Sequence, residues 1–319
     1  YDDQRPFPLR ADPNHQYSLK DALLIDVATL SLEATFSMAT KRVFPRAGLM
    51  SDGTVVVTGG GKWPNEESAL YQEVEVFDVF RAEEEGGPGF LDTNSFESYV
   101  PRSGHSLTFI KRDAQGQSQY LLFGGTHKLK SQGGNMAEVM RQSSQQRFGV
   151  DGSFDEVAVI PVAGFNASFS LYFHHMTPLG ERSPNQWYFL ATGGQRLNEG
   201  EDTSRLPVSG EGESWLLRYS EGDDSVPEPT LEVKRIEGFG AGRVFHAAFS
   251  PAEGRVAVLG GLTAQASASQ SGRYEIPALT TGTSIFFEHE GALNGSWQVG
   301  SDDQGFVPRG AFGALGAGT

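Results

Sequence analysis

Cysteine is absent from this sequence of 319 residues. Without a thiol the chain can form no disulfide, no thiolate-ligated metal site and no iron–sulfur cluster, and it has no cysteine nucleophile. The absence leaves the compartment open, because a cysteine-free chain suits a bacterial surface as well as a cytosol. Residue 1 is Tyr rather than Met, which is compatible with a signal peptide ahead of the numbering. We expect an extracytoplasmic location, in the periplasm or on the cell surface, with the cytoplasm as the alternative.

Long apolar runs and a positive net charge are also missing. No apolar run approaches the roughly 18 residues of a membrane-spanning helix, so no membrane span is expected. Lysine and arginine number 25 against 40 aspartates and glutamates, which gives a formal net charge of −15. A protein with this net negative charge produces an electrostatic field that repels phosphate backbones and anionic lipid surfaces. The charge therefore argues against a nucleic-acid partner.

Glycine and aromatic residues, in contrast, are plentiful. The 40 glycines indicate many turns, while hydrophobic residues make up only 38% of the chain. Together these values predict short strands that carry long polar loops. An aromatic share of 11% argues against disorder. The length is sufficient for one large all-β domain with a substantial core.

One short pattern occurs four times at a nearly constant spacing. In its first copy Arg46 begins a strand of small residues, and after a turn a β-branched strand ends at Gly59 and Gly60. The glycine pair recurs at residues 124–125, 193–194 and 260–261, so its first glycine repeats after 65, 69 and 67 residues. A fixed period of this kind identifies a repeat protein.

Two further strands are predicted after each glycine pair. In the first full repeat they are residues 74–78 and, more weakly, residues 96–100. In the second repeat a long insertion at residues 126–148 is predicted to be a loop, and a strand follows at residues 156–160. Each repeat therefore has four strands.

The repeat resembles the kelch repeat. The resemblance rests on the order of an arginine, a small-residue strand, an apolar strand ending in the glycine pair, a strand closing on Asp26 or Asp78, and a strand with Trp297 or Leu32. In that family each repeat is one four-stranded antiparallel blade, so the resemblance implies an all-β fold, a kelch-type β-propeller with a central channel. The period is longer than the family's roughly 50 residues.

The two chain ends are predicted to share one blade. Residues 1–16 are expected to form an extended arm, and residues 17–319 a single β-propeller domain. Within it, residues 17–45 supply the later half of a blade that residues 309–319 begin, and this pairing closes the ring. Closure in this way gives five blades, with six or more possible if both ends are truncated.

One face of the propeller is predicted to carry the binding surface. The long insertions follow the second strands and the repeated arginines begin the first strands, which places both on the same face, and loops held by a rigid scaffold often carry function. A guanidinium fork matches a carboxylate well. The predicted binding residues are Arg46, Arg102, Arg243 and Arg309, with Trp63 and His127 in the first two insertions.

These residues also have a structural interpretation, which the sequence leaves open. Each repeat arginine could bond backbone carbonyls or an acid between blades. The histidines that recur just after the arginine position are expected to serve blade packing; they are His105, His246 and either His174 or His175. We predict no catalytic residues, no metal site and no cofactor.

Two classes of function remain. The first is a non-catalytic binding or scaffolding module that recognises a protein or glycan partner through the long-loop face, either alone or as part of a larger assembly. We favour it because nothing in the sequence gathers an acid, a base and a nucleophile. The alternative is an enzyme at the channel mouth acting on an acidic sugar, similar to mutarotases. A copper radical oxidase is disfavoured, because such enzymes use a cysteine-modified tyrosine.

Overall fold

The computed structural model describes residues 19–61, 73–81, 86–91, 101–114, 116–125, 136–142, 154–163, 169–198, 214–222, 228–237, 239, 243–244, 246–261 and 285–299. This part of the chain forms antiparallel sheets, apart from one short parallel contact, and contains no helix. The all-β prediction is therefore confirmed. The predicted arm at residues 1–16 lies outside the described residues.

The first two strands form a hairpin by themselves. β1 (Leu19–Asp26) pairs antiparallel with β2 (Ser31–Arg42). One face of this hairpin leaves three large apolar side chains in solvent, since Leu23 is 61%, Ile25 50% and Leu32 58% exposed. The C-terminal end of β2 continues directly into the first four-stranded unit.

Four antiparallel four-stranded units, named A to D, follow one another along the chain. Unit A contains β3 (Arg46–Leu49), β4 (Val55–Thr58), β5 (Glu75–Asp78) and β6 (Gly89–Phe90). Unit B contains β7 (Ser106–Arg112), β8 (Ser118–Phe123), β9 (Met136–Gln142) and β10 (Phe154–Ala163). After β11 (Phe169–Tyr172), unit C contains β12 (His175–Ser183), β13 (Gln186–Thr192), β15 (Ser214–Ser220) and β16 (Thr230–Ile236), with β14 (Gln195–Asn198) paired to β11. Unit D contains β17 (Ala247–Ala252), β18 (Arg255–Leu259), β19 (Ile285–Gly291) and β20 (Asn294–Val299).

Units B and C belong to one continuous sheet. Two residue pairs of β10 and β16 lie in parallel register, Val162 with Leu231 and Ala163 with Glu232. The eight strands of this sheet are therefore two antiparallel units that touch along their fourth strands.

The last four residues of β8, residues 120–123, form an uninterrupted apolar run. Side chains of a strand alternate between the two faces of the sheet. Tyr120 and Leu122 pack into the core shared with unit A, whereas Leu121 and Phe123 pack into the core shared with unit C. Both faces of unit B are thus covered by a neighbouring unit, and polar residues on this strand would be buried.

The strand β13 has the same arrangement one unit later. Phe189 and Ala191 belong to the core between units B and C, and Tyr188 and Leu190 belong to the core between units C and D. The units therefore stack face to face in the order A, B, C, D. Each interface buries apolar side chains of a second strand, which contribute roughly 25 cal/mol per Å² removed from water.

Two boundaries differ from the sequence-based expectation. The insertion at residues 126–148, predicted to be a loop, contains β9, the third strand of unit B. The fourth strand of unit A is β6, which pairs with β5, and it precedes the predicted position at residues 96–100, which lie outside the described residues.

Candidate binding site at the starts of the first strands

The glycine pairs connect one unit to the next. All eight glycines have a positive φ, from 57° to 96°, a conformation that favours glycine. The second glycine of a pair donates its backbone N–H to a carbonyl oxygen of the following unit, or of the segment that leads into it. These bonds are Gly60 to Arg102 at 2.7 Å, Gly125 to Leu171 at 2.7 Å and Gly194 to Arg243 at 2.9 Å.

The first glycine of each pair is equally constrained, by close approach. A Cβ on Gly59 would lie 2.5 Å from the Arg102 carbonyl oxygen, and a Cβ on Gly124 would lie 2.2 Å from that of Leu171. Only a residue without a side chain leaves room for the next unit there. The repeated glycine pair is therefore a docking feature between units as well as a turn.

Three of the recurring histidines lie buried at the same junctions. The Nε2 atom of His105 forms a 2.9 Å hydrogen bond with the Thr58 hydroxyl of the preceding unit. The other two bonds join His174 to Ser106 at 3.0 Å and His246 to Thr192 at 2.8 Å. This geometry matches the packing role that their recurrence predicts.

Two of the predicted binding arginines lie at these junctions. Arg102 is 1% exposed; its Nη1 donates to the Gly124 carbonyl oxygen at 2.6 Å and its Nε to Glu138 Oε1 at 2.8 Å. Arg243 is 2% exposed, and its Nη1 donates to the Gly260 carbonyl oxygen at 3.1 Å. For both residues the geometry is that of the structural interpretation that the sequence left open.

Arg42, and not Arg46, occupies the equivalent position in unit A. Its Nη1 donates to the Gly59 carbonyl oxygen at 2.6 Å and its Nε to Glu75 Oε1 at 2.9 Å. Sequence reasoning missed Arg42 because Arg46 stands closer to the first strand. The tripeptide Arg-Val-Phe occurs at residues 42–44 and again at residues 243–245, and in both copies the arginine precedes the first glycine by 17 residues.

The acid that pairs with the junction arginine is present in only two units. In each unit one third-strand residue lies opposite the residue that stands two positions before the first glycine of the pair. This third-strand residue is Glu75 in unit A and Glu138 in unit B. In unit C the arginine is replaced by Leu171 and the acid by Trp215, and both pack in one apolar cluster. In unit D the third-strand position holds Ile285. The junction thus tolerates an ion pair or an apolar pair.

Arg46 has a different surrounding from the other three arginines. It is the first residue of β3 and stands opposite Thr58. It is half-buried, and its Nε donates to the His105 carbonyl oxygen at 2.7 Å. The residues at the same register position in the other units, each also the first residue of its first strand, are Ser106, His175 and Ala247.

The first strands of neighbouring units adjoin one another. Burial, followed by the charge of Arg46 and the nearby His175, lowers the pKa of His174 to about 3. Burial and then Arg46 lower the pKa of His175 to about 4, although a hydrogen bond to the Ala248 backbone opposes this. An arginine of unit A therefore acts electrostatically on histidines of unit C. The imidazoles of His174 and His175 are therefore neutral at pH 7, whereas Arg46 carries a positive charge.

The burial of Arg46 has an electrostatic consequence of its own. Desolvation lowers its pKa from the ordinary value of 12.5, yet arginine remains charged under physiological conditions. The positive charge is therefore held in a partly dehydrated place, where its attraction for an anion is stronger than in bulk water. We name the group Arg46, Ser106, His175 and Ala247 the strand-start site.

The remaining predicted binding residues, Trp63, His127 and Arg309, lie outside the described residues. Within the described part of the chain, no group of three or more histidines, cysteines, aspartates or glutamates is arranged to hold a metal ion. No helix capable of spanning a bilayer occurs among the same residues.

Comparison with known proteins gives no family assignment. No family model matches the chain, and no curated protein matches it. Similar solved structures include a novel fungal alcohol oxidase of the AA5 family in complex with copper, at 15% identity and a TM-score of 0.37, covering 90% of this chain and 59% of the oxidase chain. This chain therefore spans less than two thirds of the oxidase.

Two other similar structures have unrelated descriptions. One is RAG in complex with one melted and one unmelted RSS, at 14% identity and a TM-score of 0.46, covering 89% of this chain and 72% of that chain. The other is a B. megaterium levansucrase mutant, at 10% identity and a TM-score of 0.36, covering 83% and 69%. With TM-scores below 0.5, none of these similarities carries a functional conclusion for this chain.

Proposed function

We propose that the chain is a kelch-type β-propeller in which units A to D are blades. Three features support this: the first strands of neighbouring units adjoin, the units stack face to face, and Arg46 of unit A acts on histidines of unit C, as residues around a common axis would. In this proposal a fifth blade combines residues 17–45 with residues 309–319. In the closed ring a neighbouring blade would cover the apolar face of the β1–β2 hairpin, which is exposed among the described residues.

We propose further that the protein is a non-catalytic binding or scaffolding module, extracytoplasmic, that recognises a protein or glycan partner. The observation that carries this proposal is that the polar residues of the repeat are committed to holding blades together. His105, His174 and His246 are buried and bonded to the preceding unit. Arg42 and Arg102 are buried and bonded to the carbonyl oxygen of a glycine pair and to a third-strand glutamate. The segments that follow the glycine pairs differ in sequence between repeats. We propose that these segments recognise the partner.

The same observation weighs against the enzyme on an acidic sugar. A general base needs a pKa near the working pH, whereas burial lowers the pKa of His174 to about 3 and of His175 to about 4. The copper radical oxidase remains disfavoured because the sequence has no cysteine.

The proposal is tested by replacing the variable segments. Residues 126–135 and 199–213 are exchanged, singly, for Gly-Ser linkers of equal length, and the protein is crosslinked to native partners that are identified by mass spectrometry. The matched control replaces the tight turn at residues 113–117, at the opposite ends of the strands of unit B. Loss of a specific partner in the segment variants alone supports the proposal.

Two results would contradict it. Recovery of the same partner at the same yield by both segment variants would remove recognition from this face. If NMR spectroscopy shows that the wild-type protein interconverts the anomers of a uronic acid, the result would favour the alternative function, an enzyme that acts on an acidic sugar.

A further inference from the structure

Arg46 differs from Arg42 and Arg102 in what its guanidinium bonds. Arg243 also bonds a carbonyl oxygen without an acid among the described residues, but at 2% exposure it is closed to a partner. Arg42 and Arg102 each combine a carbonyl oxygen with a glutamate, in ion pairs of 2.9 and 2.8 Å. Within the described part of the chain Arg46 makes one hydrogen bond, from Nε to the His105 carbonyl oxygen at 2.7 Å. Among the described residues, no aspartate or glutamate pairs with it. The two Nη groups are therefore available while the Nε bond fixes the plane of the fork.

The neighbours of this fork do not neutralise it. The His105, His174 and His175 side chains that share its electrostatic surroundings are held neutral by burial and by the charge of Arg46 itself. An arginine held half-buried with no acid beside it among the described residues carries a desolvation cost, which an ion pair would offset. An incoming anion would supply the missing pair.

The shape and charge of the site select among anions. A guanidinium presents parallel N–H groups that match both oxygens of a carboxylate. The chain as a whole carries a formal charge of −15, so its long-range field opposes the approach of a dianion more strongly than that of a single negative charge. A monoanionic carboxylate therefore fits better than a phosphate.

We propose that Arg46, the residue of unit A in the strand-start site, binds a carboxylate group of the partner. The inference rests on the proposed binding function and adds the chemistry that the partner must present. Either an acidic side chain of a protein or a uronic acid of a glycan has this group. The carboxylate accepts hydrogen bonds from the two Nη groups of Arg46 and completes the pairing that the described residues leave open.

The test measures binding of small carboxylates to the full chain by NMR titration at constant ionic strength. The two probes are the α-amide of N-acetyl-L-glutamate, for an acidic side chain, and D-glucuronate, for a uronic acid. Neutral matches are N-acetyl-L-glutamine amide and D-glucose, and inorganic phosphate is the third anion. We expect saturable binding of at least one carboxylate and no binding of its neutral match.

Variants assign the binding to Arg46. Arg46→Met is expected to weaken carboxylate affinity by about tenfold or more, since a hydrogen-bonded charge pair is lost. Arg46→Lys retains the charge without the fork and is expected to fall between Met and wild type. Arg255→Met is the control, because Arg255 is an exposed arginine that pairs with Glu288 on β19. Arg46→Met also loses the hydrogen bond to the His105 carbonyl oxygen, so circular dichroism is used to verify that this variant is folded. If Arg46→Met is unfolded, the carboxylate affinity of Arg46→Lys decides the test.

Several outcomes would overturn the inference. The first is that no carboxylate binds, and the second is that Arg46→Met or Arg46→Lys binds the carboxylate as tightly as the wild type does. The third is that Arg255→Met loses as much carboxylate affinity as Arg46→Met, and the fourth is that phosphate binds as tightly as the carboxylate. Partner recovery that depends on the variable segments but not on Arg46 would overturn it while leaving the proposed function in place. Carboxylate binding by a protein that recovers no partner would contradict the proposed function alone.

Discussion

At the scale of single residues, the junction arginines show how a charge can be stable inside an apolar stack. The side chains of Arg102 and Glu138 are 1% and 0% exposed, and the guanidinium also bonds the Gly124 carbonyl oxygen. Removing one partner of such a pair leaves the other buried without compensation, which costs more than the pair contributes.

Arg102→Met is therefore expected to lower the free energy of unfolding by about 3–5 kcal/mol. Urea denaturation followed by tryptophan fluorescence measures this change. The exposed pair Arg255–Glu288 provides the comparison, since Arg255→Met should cost about 1 kcal/mol or less.

The double variant Arg102→Leu with Glu138→Leu should recover a large part of the loss. Unit C shows that an apolar pair, Leu171 and Trp215, can occupy the same two positions. If the double variant is no more stable than Arg102→Met, the cost does not come from the uncompensated glutamate.

Buried histidines give stability a pH dependence of known sign. In the folded state burial, together with Arg46 and His175, lowers the pKa of His174 to about 3, whereas the unfolded value is near 6.5. Below pH 6.5 the His174 imidazole binds a proton in the unfolded chain but stays neutral in the folded chain. The free energy of unfolding therefore falls as the pH drops from 6.5 towards 3. At pH 7 and above this contribution is absent.

His174 alone is expected to remove about 2 kcal/mol of stability between pH 7 and pH 5. The measurement is the urea unfolding free energy of wild type and of His174→Gln at both values. The variant loses stability at pH 7 through its hydrogen bond to Ser106, but its decrease towards pH 5 should be smaller. Parallel decreases in the two proteins would show that His174 does not carry the effect.

The candidate site could be predicted from the sequence only in part. Arg46 stands in the predicted set, but it was grouped with Arg102 and Arg243 because all three precede a small-residue strand. The register separates them: Arg46 opens the strand, whereas the other two stand four residues ahead of theirs. A period in the sequence gives spacing along the chain, and it does not show which side chain meets an acid on a distant third strand.

At the scale of elements, β9 shows where the pattern of apolar residues misleads. This strand lies within the insertion predicted to be a loop, which is rich in glutamine, serine and glycine. Its Glu138 is polar in sequence yet completely buried, because Arg102 of the same unit neutralises it. The second strands were predicted correctly, since both of their faces are covered and they consist of continuous apolar residues.

The glycine pair makes a prediction at this scale. Gly124→Ala is expected to destabilise unit B against β11 and unit C, because φ is 67° and the added Cβ would lie 2.2 Å from the Leu171 carbonyl oxygen. Gly180→Ala is the matched control: φ is 92°, and nothing lies within 4 Å of its Cβ.

Both variants include the backbone cost of a positive φ, about 1 kcal/mol. The additional loss in Gly124→Ala, measured by thermal unfolding, therefore reports the clash between units. Equal midpoints for the two variants would mean that the carbonyl moves aside and that the close approach is not required.

At the scale of the whole molecule, the β1–β2 hairpin leaves an apolar surface uncovered among the described residues. Units B and C are covered on both faces, whereas the β1–β2 hairpin exposes Leu23, Ile25 and Leu32. In the proposed ring, residues 309–319 add a strand to the blade that contains this hairpin. The strand itself would pair with the edge of the sheet, and ring closure would bring a neighbouring blade against the apolar face. Covering the three side chains in this way would contribute roughly 2–4 kcal/mol.

Deleting residues 309–319 is therefore expected to lower the unfolding midpoint by about 3–6 °C for a chain of this length. Binding of a hydrophobic dye should rise as well, because the apolar face of the hairpin would become accessible to it. Deletion of residues 1–16 is the control, since the sequence predicts that this segment lies outside the propeller domain, and its loss should then leave the midpoint unchanged. A full-length chain with the same midpoint and dye binding as the 309–319 deletion would contradict closure, because a strand that fills the fifth blade cannot be removed without exposing its neighbour.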